Sequence, residues 1–152
     1  MLAFMKAVMH SSGEGETYRL AGSIVTIKAG GDQTGGSFFL SDVTIEPGFA
    51  GPPLHVHEKL HDMFYVLDGV LTMRIGAESI QIQPGTFVCV PPGLPHTFSN
   101  PSAGSVRFLN FNTPAGWEDY MRDLGRELAG PRPPTSEQIG RIASRYDFHV
   151  VG

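Results

Sequence analysis

Four of the six histidines in this 152-residue chain fall in two short stretches, and their spacing is that of metal ligands. The first stretch reads Gly51-Pro-Pro-Leu-His55-Val-His57-Glu-Lys-Leu-His61-Asp62. Side chains two apart on a β-strand point to the same face. His55 and His57 can therefore aim together into an interior and share one ion. Asp62 and His61, adjacent in the chain, are both candidates for a further ligand. An alternation that turns Asp62 inward sends His61 outward, and Glu58 falls on the outward parity with Val56. An isolated H-x-H pair arises as readily from chance clustering of surface histidines, so a second stretch has to decide.

That stretch is Gly85-Thr-Phe-Val-Cys-Val-Pro91-Pro-Gly93-Leu-Pro-His96-Thr-Phe-Ser-Asn100, in which a strand, a tight Pro-Gly turn and a histidine follow in order. Together the two stretches resemble the paired motifs of the cupin superfamily. The second motif, G-x5-P-x-G-x2-H-x3-N, is matched at Gly85, Pro91, Gly93, His96 and Asn100. The first is matched at His55, His57 and Gly69, while the family's Glu, seven residues before that Gly, is here Asp62. An Asp carboxylate is one methylene shorter, so it either binds at a stretched distance, binds through water, or orients another ligand. The resemblance covers about 48 to 113. It implies an all-β double-stranded β-helix (jelly-roll) barrel, with His55, His57, Asp62 and His96 around one divalent transition metal, and a homodimer.

Three imidazoles and a carboxylate suit Fe, Mn, Ni, Co, Cu or Zn, and affinity order alone selects none of them. At an open coordination position a substrate oxygen or a water would be polarised, with Asp62 as the catalytic proton acceptor. Strand parity turns Phe64 and Val66 inward with Asp62, and Phe98 inward with His96. These three would form an apolar wall suited to a small aromatic or polyphenolic substrate. Within the superfamily, Asn112-Thr113-Pro114-Ala115-Gly116-Trp117 is similar to the start of the helical tail in quercetin dioxygenase-like proteins. The resemblance thus implies an oxygenase. Two alternatives use the same barrel: a non-redox cyclase, isomerase or lyase, and a ligand-binding module without catalysis.

The elements that must position these residues are strands. From Thr17 to Phe111 short runs of Val, Ile, Phe, Tyr and Thr are bounded by Gly, Pro, Asn or Asp, a sandwich or barrel texture. Strands are predicted near 18–28, 36–46, 54–58, 62–68, 70–75, 78–82, 86–90, 95–99 and 105–111. Asp68-Gly69, between two apolar runs, reads as a tight hairpin turn. After Pro114 the period changes. Trp117, Tyr120, Met121, Leu124 and Leu128 mark one face of a helix. Beyond the breaker Gly130-Pro131-Arg132-Pro133-Pro134, Thr135 or Ser136 can cap a second helix carrying Ile139, Ile142, Ala143 and Tyr146. Both helices are expected on the outside of the barrel. Residues 1–152 read as one unit, a barrel over 17–113 with a helical tail over 114–152.

Composition narrows the partners. Eleven basic against fifteen acidic residues give a net charge of −4 with no basic cluster to follow a phosphate backbone, so nucleic acid is not expected. No window approaches the ~20 apolar residues of a membrane span. The single Cys89 cannot form an intrachain disulfide, and Met1 to Met9 lacks the long apolar stretch of a secretion signal. A cytoplasmic protein acting on a small molecule is the expectation.

Overall fold

The structure is a computed structural model that describes residues 6–152. In chain order its elements are β1 (Glu16–Leu20), β2 (Ser23–Ala29), a single turn α1 (Gly31–Thr34), β3 (Phe39–Ile45), β4 (His55–Val56), β5 (His61–Asp68), β6 (Leu71–Ile75), β7 (Glu78–Ile82), β8 (Phe87–Val90), β9 (His96–Ser99), β10 (Val106–Thr113), α2 (Trp117–Glu127), α3 (Ser136–Ala143) and β11 (His149–Val150). The strands form two antiparallel sheets, ordered β1-β2-β3-β10-β5-β8 and β11-β4-β9-β6-β7. This is the expected all-β jelly-roll barrel with helices after it.

The period-2 pattern of the sequence is the period-2 pattern of burial. Along β3, Phe39, Ser41, Val43 and Ile45 are buried while the residues between them are half-exposed. Inward residues of both sheets meet in one core that includes Val43, Ile45, Phe64, Val66, Leu71, Met73 and Phe108. The inward row of β10 is Val106, Phe108, Asn110, Asn112, and that of β5 is Asp62, Phe64, Val66. With Asn112 opposite Asp62 in register, one end of this sheet's interior is apolar and the other polar.

Three expectations differ from the structure. The strand over 18–28 is two strands, β1 and β2, folded back at Ala21-Gly22, where Gly22 has φ +88°. Asp68-Gly69 is not a hairpin. β5 pairs with β10 and β8, whereas β6 pairs with β7 and β9, so this dipeptide is the corner where the chain leaves one sheet for the other. The positive φ it requires is real, +77° at Gly69, but a positive φ serves a sheet-switching corner as well as a hairpin. A tight two-residue hairpin follows one strand later, at Gly76-Ala77 between β6 and β7.

The third difference concerns the helices. Helix α2 begins at Trp117, and α3 is capped by Thr135, whose hydroxyl accepts from Gln138 N (3.2 Å) while Gln138 Oε1 accepts from Thr135 N (2.9 Å). Their apolar faces do not lie against the outer surface of a sheet. Trp117, Tyr120, Leu124, Ile139 and Ile142 pack with Phe148 onto Ile27, Phe39 and Leu60, a second core. Trp117, Tyr120 and Leu124 also line a cavity shared with the inward residues Val25, Val43 and Phe108. The tail therefore closes one end of the barrel. Among the described residues, no helix is long and apolar enough to cross a membrane.

Candidate metal centre

Antiparallel pairing brings the two sequence stretches together. β4 lies between β9 and β11, and His55 is the direct register partner of His96. His57 follows β4 on the same parity as His55, and Asp62 enters from the neighbouring sheet on the inward row of β5. All four are buried, His55 and His57 at 2%, Asp62 at 6% and His96 at 1% exposure, and their ligand atoms all lie within 4.8 Å of one another. His61 is exposed, on the opposite face, as alternation requires. The fourth side chain at the cluster is therefore Asp62.

Each imidazole is oriented by its other nitrogen. His55 Nδ1 lies 2.8 Å from Pro53 O, His57 Nδ1 2.5 Å from Asp147 O, and His96 Nδ1 3.1 Å from Leu94 O. A carbonyl oxygen can only accept, so all three Nδ1 atoms carry a proton, and Nε2 is the nitrogen each ring has left to offer the centre, as a lone pair to an ion or, without one, as an N–H to Asp62. Asp62 Oδ2 lies 2.9 Å from His96 Nε2 and 3.5 Å from His57 Nε2. Its other oxygen, Oδ1, accepts from Asn110 Nδ2 (2.8 Å) and Asn112 Nδ2 (2.7 Å).

The electrostatics of the cluster differ between its members. Burial, helped by the neighbouring His96, lowers the pKa of His55 to about 3, so its lone pair is free at neutral pH. Burial opposes the charge of Asp62, but hydrogen bonds with His57 and His96 outweigh it and hold the carboxyl below the usual range. Burial likewise opposes protonation of His57, and the hydrogen bond and charge of Asp62 outweigh it, leaving His57 raised.

Beside the four side chains is a cavity of about 60 Å³. His55, His57, Asp62 and Asn110 form its polar corner, and Phe98, Phe108, Trp117 and Phe148 are part of its apolar wall. Of the three residues expected to line a pocket, Phe98 does so. Phe64 and Val66 point inward as parity requires, yet they are filled-in core rather than lining, Phe64 packing on the rings of Phe98 and Phe108. The tail has taken the lining positions assigned to them.

Two motif positions other than ligands now have physical roles. Gly93 N donates to His57 O (2.7 Å) at φ +84°. Asn100 is fully buried and ties a turn, donating to Ile45 O (3.2 Å) and Gly104 O (2.9 Å) while accepting from Ser102 N (3.1 Å). Sequence reasoning missed Asn110, Asn112 and Asp147. The two asparagines had a signal, polar side chains two apart at inward positions of a strand. Asp147 had none.

Comparison with known proteins agrees with this geometry. Residues 41–112 match the family model described as a cupin domain. Over 89 residues the chain is 35% identical to quercetin 2,3-dioxygenase of Bacillus subtilis (strain 168), covering 57% of this chain and 26% of that protein. The chain thus spans about a quarter of the length of that curated relative. Among solved structures, KdgF from Halomonas sp. superposes with a TM-score of 0.63 at 15% identity, over 75% of this chain and 98% of that one. The polyketide cyclase RemF from Streptomyces resistomycificus superposes with a TM-score of 0.58 at 21% identity, over 71% and 79%. At these identities the structural likeness is one of fold.

Proposed function

Since the chain belongs to the cupin superfamily, we propose that it is a metal-dependent enzyme acting on an aromatic or polyphenolic small molecule, a quercetin dioxygenase-like oxygenase. One observation carries the reading: three imidazoles, each with Nδ1 occupied by a main-chain carbonyl, turn their Nε2 atoms toward a single oriented carboxylate. The donor set fits a divalent ion. Nitrogen and oxygen atoms each about 2.1 Å from a metal lie roughly 3.0–3.4 Å apart, and the Asp62 contacts of 2.9 and 3.5 Å bracket that spacing. His55, His57 and His96 would hold Fe, Mn, Ni, Co, Cu or Zn, with Asp62 as the fourth ligand. Such an ion, when bound, supplies Lewis acidity and, if redox-active, a path for electrons to O2.

The protein's own side chains do the rest. Asp62 Oδ2 is the one carboxylate oxygen at the centre and accepts a hydroxyl proton from substrate, while Asn110 and Asn112 keep the carboxylate from rotating away. Phe98, Phe108, Trp117 and Phe148 exclude water and offer faces for an aromatic ring. In the same reading the unit spans residues 1–152 and works in the cytoplasm, in keeping with the unpaired Cys89. It forms a homodimer, for which Tyr65, Leu67 and Phe87 are exposed apolar surface, Tyr65 and Phe87 being register partners at the β5–β8 edge.

The test is elemental analysis of the purified protein beside His55→Ala, followed by oxygen uptake with a flavonol panel after reconstitution. About one redox-active ion per chain, absent from the variant, with O2 consumed in step with flavonol loss, supports the oxygenase. One zinc per chain and no O2 uptake with any metal overturns it in favour of a non-redox cyclase, isomerase or lyase. No metal above the variant's background would leave a ligand-binding barrel.

A further inference from the structure

The residues after α3 lie beyond the segment 41–112 that matches the family, yet they touch the candidate centre directly. His149 and Val150 pair with Val56 and His55 as strand β11, and Val151 N donates to Leu54 O at 3.0 Å. The main-chain carbonyl of Asp147 takes the Nδ1 proton of His57. Its carboxylate accepts from three consecutive amides, Glu58 N at 2.7 Å, Lys59 N at 2.9 Å and Leu60 N at 3.0 Å. Those amides belong to the loop that joins His57 to the strand of Asp62. Phe148, 2% exposed, stacks on His55 with ring centroids 4.0 Å apart and planes at 19°.

We propose that the segment from Asp147 to Val151 is a strap that completes the metal centre, with Asp147 as a positioning residue for His57 and Phe148 as the packing stop for His55. The inference rests on reading the four side chains as a metal site. Without the strap, the His57 Nδ1 proton has lost its acceptor and the ring is free to rotate. The 58–60 loop likewise has three main-chain donors without partners. Both losses act on the spacing between His57 and Asp62. Because coupling between two events is reciprocal, metal binding must also tighten the strap.

The experiment has two arms, both read on the full chain with Co2+ as probe. In the first, Co2+ is titrated against a competing chelator and followed by its visible spectrum for wild type, Asp147→Ala, Asp147→Asn and Phe148→Ala. Circular dichroism and the melting temperature of each metal-free form are recorded alongside. We expect Asp147→Ala to weaken Co2+ binding about 10- to 100-fold with an altered visible spectrum, and Asp147→Asn to recover part of the affinity. Phe148→Ala should weaken it less. A purely structural residue would lower the melting temperature and leave affinity and spectrum unchanged. In the second arm, which needs no variant, hydrogen exchange of the Glu58, Lys59, Leu60 and Val151 amides is compared with and without Co2+. Slower exchange on binding supports the strap. Wild-type affinity in both Ala variants, or exchange that Co2+ does not alter, overturns the strap while leaving the metal site standing. Failure of wild type itself to bind Co2+ or Zn2+ overturns the metal reading, and the strap with it.

Discussion

An imidazole serves a metal only if its proton is held elsewhere, and in this chain each of the three protons goes to a different stretch of main chain: Pro53, Leu94 and Asp147. Two of these acceptors sit two residues before their histidine, so the turns that deliver His55 and His96 also set their tautomers. The histidines themselves were legible in sequence, because motif spacing encodes local geometry, while their acceptors were not read there. The acceptor for His57 lies 90 residues away, and the donors to Asp62 lie 48 and 50 away. No local spacing could announce them. The roles predict graded lesions. His55→Ala or His96→Ala should bring metal content near zero while the barrel's circular dichroism is retained, since the main-chain hydrogen bonds removed are local ones to Pro53 O and Leu94 O and only the stacking of Phe148 on His55 is lost from the core. Asp62→Asn should impair turnover more than metal binding, because three imidazoles remain and the lost group is the proton acceptor. His61→Ala, at an exposed position, should match wild type in both. A His61→Ala lesion worse than Asp62→Asn would show that the wrong neighbour had been assigned.

At the scale of elements, local pattern was informative about what forms and uninformative about what pairs. Helical periodicity from Trp117 located α2, and Thr135 or Ser136 was the expected cap of α3, which Thr135 is, because both depend on neighbours within one turn. The Asp68-Gly69 corner was misread because turn chemistry specifies a backbone angle and not a partner strand. Which sheet β6 joins is decided by Ser99, Phe98, Thr97 and His96 of β9, distant in sequence. Two glycines separate angle from packing. Gly69 has φ +77°, and a Cβ there would lie 2.4 Å from Ser105 O and 3.0 Å from Val106 Cα, all backbone; Gly76 has φ +60° and nothing within 4 Å. Gly76→Ala should then cost only the left-handed strain of about 1–2 kcal/mol. Gly69→Ala should cost about 2–4 kcal/mol, since the corner itself must move. Urea unfolding of the two variants checks this. Equal midpoints would mean that the corner yields easily and that its close approach is not a constraint.

At the scale of the molecule, the barrel and the tail divide the labour: strands carry the ligands, and the tail closes the chamber they face. The closed chamber is small. Its volume is about 60 Å³, whereas sites for drug-sized ligands run to about 300–1,000 Å³. If the substrate is a polyphenol, as proposed above, we predict that it reaches the centre by α2 and α3 lifting from Ile27, Phe39 and Leu60. That opening has a free-energy cost set by the second core. Ile142 tests it without altering the chamber, because it is 2% exposed in that core and is not part of the cavity wall. Ile142→Ala removes packing worth about 2–5 kcal/mol, and since each 1.4 kcal/mol is tenfold in population, the open form becomes at least about tenfold more populated. If opening precedes binding, quercetin should associate with the metal-loaded variant at least about tenfold faster than with wild type in stopped-flow measurements. Azide, small enough for the closed chamber, should associate at the same rate with both. Equal quercetin rates would show that the tail stays in place and that the substrate is smaller than a flavonol, which would favour the non-redox chemistry of the same four side chains over flavonol oxygenation.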